Sequence, residues 1–282
     1  RLVGSEMCIR DSVITDKPVS DYVPLSKNDD NVVTQFTMTA LEELGLLKMD
    51  FLGLRNLTVI NDAEKQIKHK NPDYNPDMVD ENDKKVFEMF SKGYTEGVFQ
   101  FESQGMKNVL TQLKPERIED LIAVTALYRP GPMDSIPVYI DCRHNPSHIR
   151  YKHPLLKEIL GVTSGCIIYQ EQVMQIFRTL AGYSLGRADI VRRAMSKKKL
   201  AVMESEREIF IHGLTDDDGN IIVEGCIRRG VDEKTAISVY DEMESFAHYA
   251  FNKSHAAAYA NISYKTAWLK CHYPLSLIHI SE

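Results

Sequence analysis

Five cations crowd into eight residues, Arg192-Arg193-Ala194-Met195-Ser196-Lys197-Lys198-Lys199, while the rest of the chain holds 29 basic against 40 acidic groups. At 100° per residue on a helix, Arg192, Arg193, Lys197 and Lys199 fall within an arc of about 160°, with Lys198 pointing elsewhere. Arginine offers a planar fork that matches two phosphate oxygens, and lysine a compact charge, so the pattern suits a polyanion. The plainer explanation is a solvated helix end, because cations favour helix C-termini.

A second group lies in Phe251-Asn252-Lys253-Ser254-His255-Ala256-Ala257-Ala258-Tyr259. Ser254 is the expected cap of the helix that follows. His255 and Tyr259 then share a face at i,i+4, beside Lys253 and near a helix N-terminus, where anions bind readily. A capping serine with a satisfied core histidine accounts for the same residues.

Asp50 sits on the polar side of a short alternating run that stops at Gly53. Metal-assisted phosphoryl transfer needs two or more carboxylates around paired Mg²⁺ ions, so on spacing alone one aspartate reads as a surface residue. Arg129 belongs to the rigid loop Leu127-Tyr128-Arg129-Pro130-Gly131-Pro132-Met133, which a helix stop explains. Gly97 to Ser103 alternates and then enters a helix, which predicts a core strand followed by a cap. The chain carries no GxxxxGK[ST] loop, GxGxxG, HExxH or GxSxG motif.

The elements that must position these groups follow from periodicity. Leu47, Met49 and Phe51 alternate with Lys48 and Asp50, predicting a strand that Gly53 ends; a strand-like run and a short helical turn precede it from Thr34. Asn56 to about Lys70 reads as a helix. The stretch 71–83, rich in Pro, Asp and Asn, reads as a loop and the best boundary between domains. Helices are then expected at about 83–91, 103–113, 116–128, 154–160, 170–181, 187–195, 200–212, 232–246 and 254–271. Asp217-Asp218-Gly219-Asn220 predicts a hairpin. The fold class expected is α+β and predominantly α-helical.

The chain has 282 residues, 43% of them apolar, and a net charge of −6, so it is long enough for a large core and is not a basic nucleic-acid binder overall. Cys8, Cys142, Cys166, Cys226 and Cys271 are far apart and form no CxxC pair, which argues against structural zinc and a disulfide framework and fits the cytoplasm. No apolar run approaches the 18 residues or so of a membrane span. Residues 1–12 have neither a clean period nor a cap, and 276–282 follow a helix that ends sensibly at His272-Tyr273-Pro274; both ends read as adaptor or cloning sequence.

Taken in order, the strings TQFTMTALEELGLLKMDFLGLRNLTVI, GVFQFESQGM, DLIAVTALYRPGPM, YQEQVM, LAGYSLGRADIVRRAMSKKK and FAHYAFNKSHAAAYA resemble the bacterial DNA polymerase III alpha subunits, the C-family replicative polymerases. The resemblance runs from about Val13 to Pro274. It implies a palm remnant over 13–58 and a helical fingers domain over 59–275. It further implies template-directed addition of deoxynucleotides to a primer 3′ end through two Mg²⁺ ions, with Asp50 as one of three metal-binding catalytic aspartates. The other two, the thumb, and the regions that bind the sliding clamp and other replicase subunits are expected outside this sequence, so the piece alone is expected to be inactive.

By the same resemblance Arg192, Arg193, Lys197 and Lys198 would bind the dNTP triphosphate. Lys253, His255 and Tyr259 would line the nucleotide or template cleft, and Arg129 would touch primer–template DNA. Thr163-Ser164-Gly165 departs from the family, where an aromatic residue usually precedes the glycine; this puts local packing in doubt rather than the chemistry. A non-catalytic nucleic-acid or nucleotide-binding module that kept the fingers scaffold is the rival reading. It predicts binding to primed DNA with a steep salt dependence and no role for Asp50.

Overall fold

The computed structural model describes residues 8–28, 31–196, 200–247 and 250–274. The chain divides between Pro72 and Asp73 into two compact units. That division falls within the loop 71–83, whereas the resemblance puts its boundary at Thr58.

The first unit pairs β1 (Cys8–Ile14) with β4 (Leu47–Gly53) as an antiparallel ribbon, from Cys8 opposite Gly53 to Ile14 opposite Leu47. Cys8 to Ser12, set aside above as adaptor-like, are thus part of a paired strand. A hairpin of β2 (Leu25–Asn28) and β3 (Asn31–Thr34) precedes α1 (Met38–Glu43). In α2 (Arg55–Lys70), Ile60, Ala63 and Ile67 recur at helical spacing and are buried, and Lys68, His69 and Lys70 favour its negative end.

The second unit is helical around two apolar clusters. One is built by α3 (Lys84–Ser91), α4 (Gln104–Leu113), α5 (Ile118–Leu127), α6 (Ile136–His144) and α12 (Lys253–His272). α5 is its axis, with Leu121, Ile122, Ala123, Val124, Ala126 and Leu127 all buried, as a helix that is apolar all round must be. The other cluster gathers α7 (Leu156–Leu160), α8 (Gln170–Ala181), α9 (Leu185–Ser196), α10 (Leu200–His212) and α11 (Glu233–Ala247), together with the hairpin of β5 (Leu214–Thr215) and β6 (Ile221–Val223). Phe177 is its hub, its ring 5.1–6.1 Å from those of Tyr183, Phe210 and Tyr240. The extended segment Ile167–Tyr169 runs between the clusters, Ile167 packing into one and Ile168 and Tyr169 into the other.

The predominantly helical α+β character matches the sequence reading, with three local corrections. Gly97 to Phe101 is not a strand but a run of turns: Val98 N–H donates to the Thr95 carbonyl, Phe101 N–H to that of Val98, and Gln100 takes φ +61°. Val98, Phe99 and Phe101 are all buried by this winding, so their spacing mimicked a strand. Ser103 does cap α4, its Oγ accepting from Met106 N–H. The cap of α12 is Asn252 rather than Ser254, because Asn252 has extended backbone and its Oδ1 receives the His255 N–H at 2.8 Å. Helix α6 was not among the expected helices; Pro137 occupies its first turn, where no N–H is needed.

Candidate functional site

Arg129, His255 and Tyr259 meet in one pocket of about 220 Å³, which Gln100, Met106, Thr125, Tyr128 and Phe251 complete. Two helix ends build it. At the C-terminus of α5 the Arg129 side chain folds back, its Nε donating to the Ala126 carbonyl at 3.0 Å, and Pro130 prevents the helix from continuing. This swings the guanidinium over the Phe251 ring, 4.3 Å from its centroid. Burial pulls the Arg129 pKa below the ordinary arginine value.

At the N-terminus of α12, the i,i+4 spacing brings the His255 and Tyr259 rings to 4.3 Å. Phe251 lies 5.3 Å from His255 and Phe99 lies 5.4 Å from Tyr259, which makes one aromatic run, Phe251–His255–Tyr259–Phe99. The His255 side of this run is exposed and the Tyr259 side buried, and burial raises the Tyr259 phenol pKa. No carboxylate is among the lining residues. The pocket therefore offers aromatic faces for stacking with a guanidinium at one end, and no general base of the carboxylate kind.

Lys253 is adjacent in sequence but not part of the lining; its Nζ lies 5.7 Å from the Tyr169 ring. Its backbone N–H and the Asn252 amide are held by the Glu171 carboxylate, so the anion at this helix end belongs to the protein itself. Neither Glu171 nor Tyr128 was singled out from sequence. The available signal was the polar triplet Gln170-Glu171-Gln172 opening the amphipathic helix α8, and all three side chains are used: Gln170 bonds the Ala250 carbonyl, and buried Gln172 bonds the Ile168 and Tyr169 N–H groups. Tyr128 lies against Gly105, where a Cβ would run into its hydroxyl.

The basic cluster is less open than its charge count suggests. Arg192 donates to Asp189 Oδ1 through Nε and Nη2 at 3.1 and 2.8 Å, and Arg193 donates to Asp189 Oδ2 at 2.8 Å. Hydrogen bonding by Arg192 holds the Asp189 carboxyl below its ordinary pKa. The Arg192 side chain is 14% exposed and that of Arg193 68%, so the latter is the more accessible cation. Lys197, Lys198 and Lys199 lie outside the described residues.

Asp50 belongs to β4, in the other unit, at the register position opposite Asp11. Among the described residues no group of three His, Cys, Asp or Glu side chains could hold a metal ion. The Asp50 side chain lies outside the described residues.

Residues 56–218 match the family model described as the bacterial DNA polymerase III alpha subunit finger domain. The chain belongs to the bacterial DNA polymerase III alpha subunit family. Residues 11–53 match a second model, the bacterial DNA polymerase III alpha NTPase domain. The chain is 49% identical over 264 residues to the DNA polymerase III subunit alpha of Staphylococcus aureus (strain COL), an alignment covering 93% of this chain and 24% of that protein. It is 48% identical over 264 residues to the subunit of the same name from Borreliella burgdorferi, covering 93% of this chain and 22% of the relative. The chain thus spans about a quarter of the length of the curated relatives it matches. Within the alpha-subunit family the finger match takes in Arg129, Arg192 and Arg193 and ends before Lys253, His255 and Tyr259; Asp50 falls in the second match.

No helix among the described residues is long and apolar enough to cross a membrane.

Proposed function

We propose that this chain is a piece of a cytoplasmic DNA-directed DNA polymerase, comprising the last part of a palm (13–58) and much of a fingers domain (59–275), whose substrates are dNTP and primer–template DNA. The observation that carries the reading is the convergence of Arg129, His255 and Tyr259 with Phe251 in one pocket of a chain from this family. Aromatic faces stack on a flat base, and a guanidinium donates hydrogen bonds to phosphate oxygens. In this reading Arg193 and Arg192, with Lys197 and Lys198 following them, neutralise the triphosphate, and Arg129, His255 and Tyr259 face nucleotide or template with Lys253 beside them. Asp50 contributes one carboxylate to an Mg²⁺ site whose remaining ligands belong to the longer protein. Sliding-clamp and other replicase contacts likewise belong outside this chain.

The test is a dNTP titration of the purified chain. Arg129→Ala, His255→Ala and Arg193→Ala are each expected to weaken binding by about tenfold, the loss of one charged or stacking contact. Unchanged affinity in all three overturns the reading. Primer extension by the chain alone is expected to be absent. In the full-length protein, where primer extension is expected, Asp50→Asn is expected to abolish that activity, which separates this proposal from a binding module that makes no use of Asp50.

A further inference from the structure

The first turn of α12 is fastened by a side chain from another helix. Glu171, in the first turn of α8, accepts from Asn252 Nδ2 at 2.8 Å and from Lys253 N–H at 3.1 Å through Oε1, and from the same N–H at 3.1 Å through Oε2. Around it, Gln170 N–H donates to the Phe251 carbonyl at 2.9 Å, Gln170 Nε2 to the Ala250 carbonyl at 2.9 Å, and Tyr169 and Phe251 form a parallel bridge. The segment 250–253, which leads into the pocket, thus lies on the N-terminal edge of α8.

Glu171 does something in this seat that the backbone bonds do not. A primary amide has two interchangeable-looking ends, one donating and one accepting, and either fits most cavities. An ionised carboxylate accepts only. Facing Glu171, Asn252 must present its NH₂ group there, which turns Oδ1 toward the His255 N–H that it caps at 2.8 Å. The bond order runs Glu171 to Asn252 to His255, and the His255 ring stands between Phe251 and Tyr259.

We infer that Glu171 is a positioning residue: by fixing which end of the Asn252 amide faces α12, it sets the cap and thereby the placement of His255 in the pocket. Its consequence for substrate rests on the nucleotide reading above; the positioning itself does not.

The experiment uses the purified chain with Asn252→Asp, Glu171→Gln, their double variant, and Glu171→Ala. Hydrogen exchange at the His255 amide and the His255 ring proton shifts are followed by NMR. Aspartate caps helices as well as asparagine does, so an ordinary cap predicts no change for Asn252→Asp. Orientation by Glu171 predicts the opposite, because two carboxylates then face each other: protection of the His255 amide falls by about five- to tenfold and the ring shift moves. Glu171→Gln added to Asn252→Asp is expected to restore both, since the glutamine amide then donates to the aspartate. Glu171→Gln alone is expected to keep the wild-type values through its single acceptor oxygen, and Glu171→Ala to lose them. Asn252→Asp with wild-type exchange, or a double variant no better than Asn252→Asp, overturns the inference. Should Glu171→Ala fail to fold, the Asn252→Asp pair still decides. A dATP titration of the same resonances separates the two readings: no response in the wild type sinks the nucleotide assignment alone, while the exchange result stands for or against the positioning role by itself.

Discussion

The Arg129 guanidinium lies 4.3 Å above the Phe251 ring, and this contact joins the C-terminus of α5 to the entry of α12. Both partners are half-buried, so the cation is partly desolvated where it meets the ring. Cation–π pairs in such settings contribute about 1–2 kcal/mol. A double-mutant cycle of Arg129→Met and Phe251→Ala, read by urea unfolding, is expected to give a coupling of about 1 kcal/mol. Additive effects would mean that the stacking contributes nothing.

A second interaction holds the other end of α5. The Asp120 side chain is 1% exposed and accepts from Arg143 at 2.9 and 3.1 Å, from Arg117 at 3.1 Å and from Glu116 N–H at 3.1 Å. Removing Arg143 leaves the buried carboxylate with Arg117 and the Glu116 N–H still paired to it but short of its two-pronged partner, so Arg143→Met is expected to cost about 2 kcal/mol or more in urea unfolding. A loss below about 1 kcal/mol, as at an exposed pair, would contradict this account.

The same carboxylate predicts a pH dependence. Burial alone would raise the Asp120 pKa, but the hydrogen bonds from Arg143, Glu116 and Arg117 outweigh it and the net shift is downward. A depressed native pKa means that the stabilisation is fully present above the ordinary aspartate value of about 4 and is lost as pH falls through the lower native value. Asp120→Asn is therefore expected to flatten the acid limb of the stability curve below about pH 4. An acid limb as steep as that of the wild type would assign it to other groups.

Much of this was legible from spacing. Met106, Leu110 and Leu113 announce α4, and the His255–Tyr259 pair followed from i,i+4 periodicity, as did the cap at Ser103. What spacing could not carry was tertiary. Arg129 joins the pocket only because α5 packs against α12, and Phe251 enters it only because Tyr169 pairs with it. Gly97–Phe101 alternates like a strand while winding through turns, since burial by turns leaves the same apolar trace. Asp189, three and four residues before Arg192 and Arg193, was readable as their partner by helical spacing but was hidden by a charge count that summed cations alone.

Gly105 offers a test of the pocket wall. A methyl group there meets the Tyr128 hydroxyl, the far end of a side chain that lines the pocket. Gly105 is the second residue of α4, where alanine is favoured over glycine by up to about 1 kcal/mol, which offsets part of the cost of moving the ring. Gly105→Ala is therefore expected to keep stability within about 1 kcal/mol while displacing Tyr128, seen as a shifted ring resonance. An unmoved Tyr128 resonance would show that the wall does not depend on the bare glycine.

Asp189 is a counter-charge to both Arg192 and Arg193, and what it withholds can be measured. Its carboxylate engages both arginines, so an incoming polyanion must compete for them. The Arg193 pair is largely exposed and such pairs contribute roughly 0–1 kcal/mol, so release is cheap. Asp189→Asn removes the competitor without shortening the side chain. It is expected to tighten binding of inorganic triphosphate by about two- to five-fold, the equivalent of that pair energy, and to steepen the salt dependence. Weaker binding would mean instead that Asp189 aims the guanidinium groups, and that the two arginines act on phosphate only while held in place.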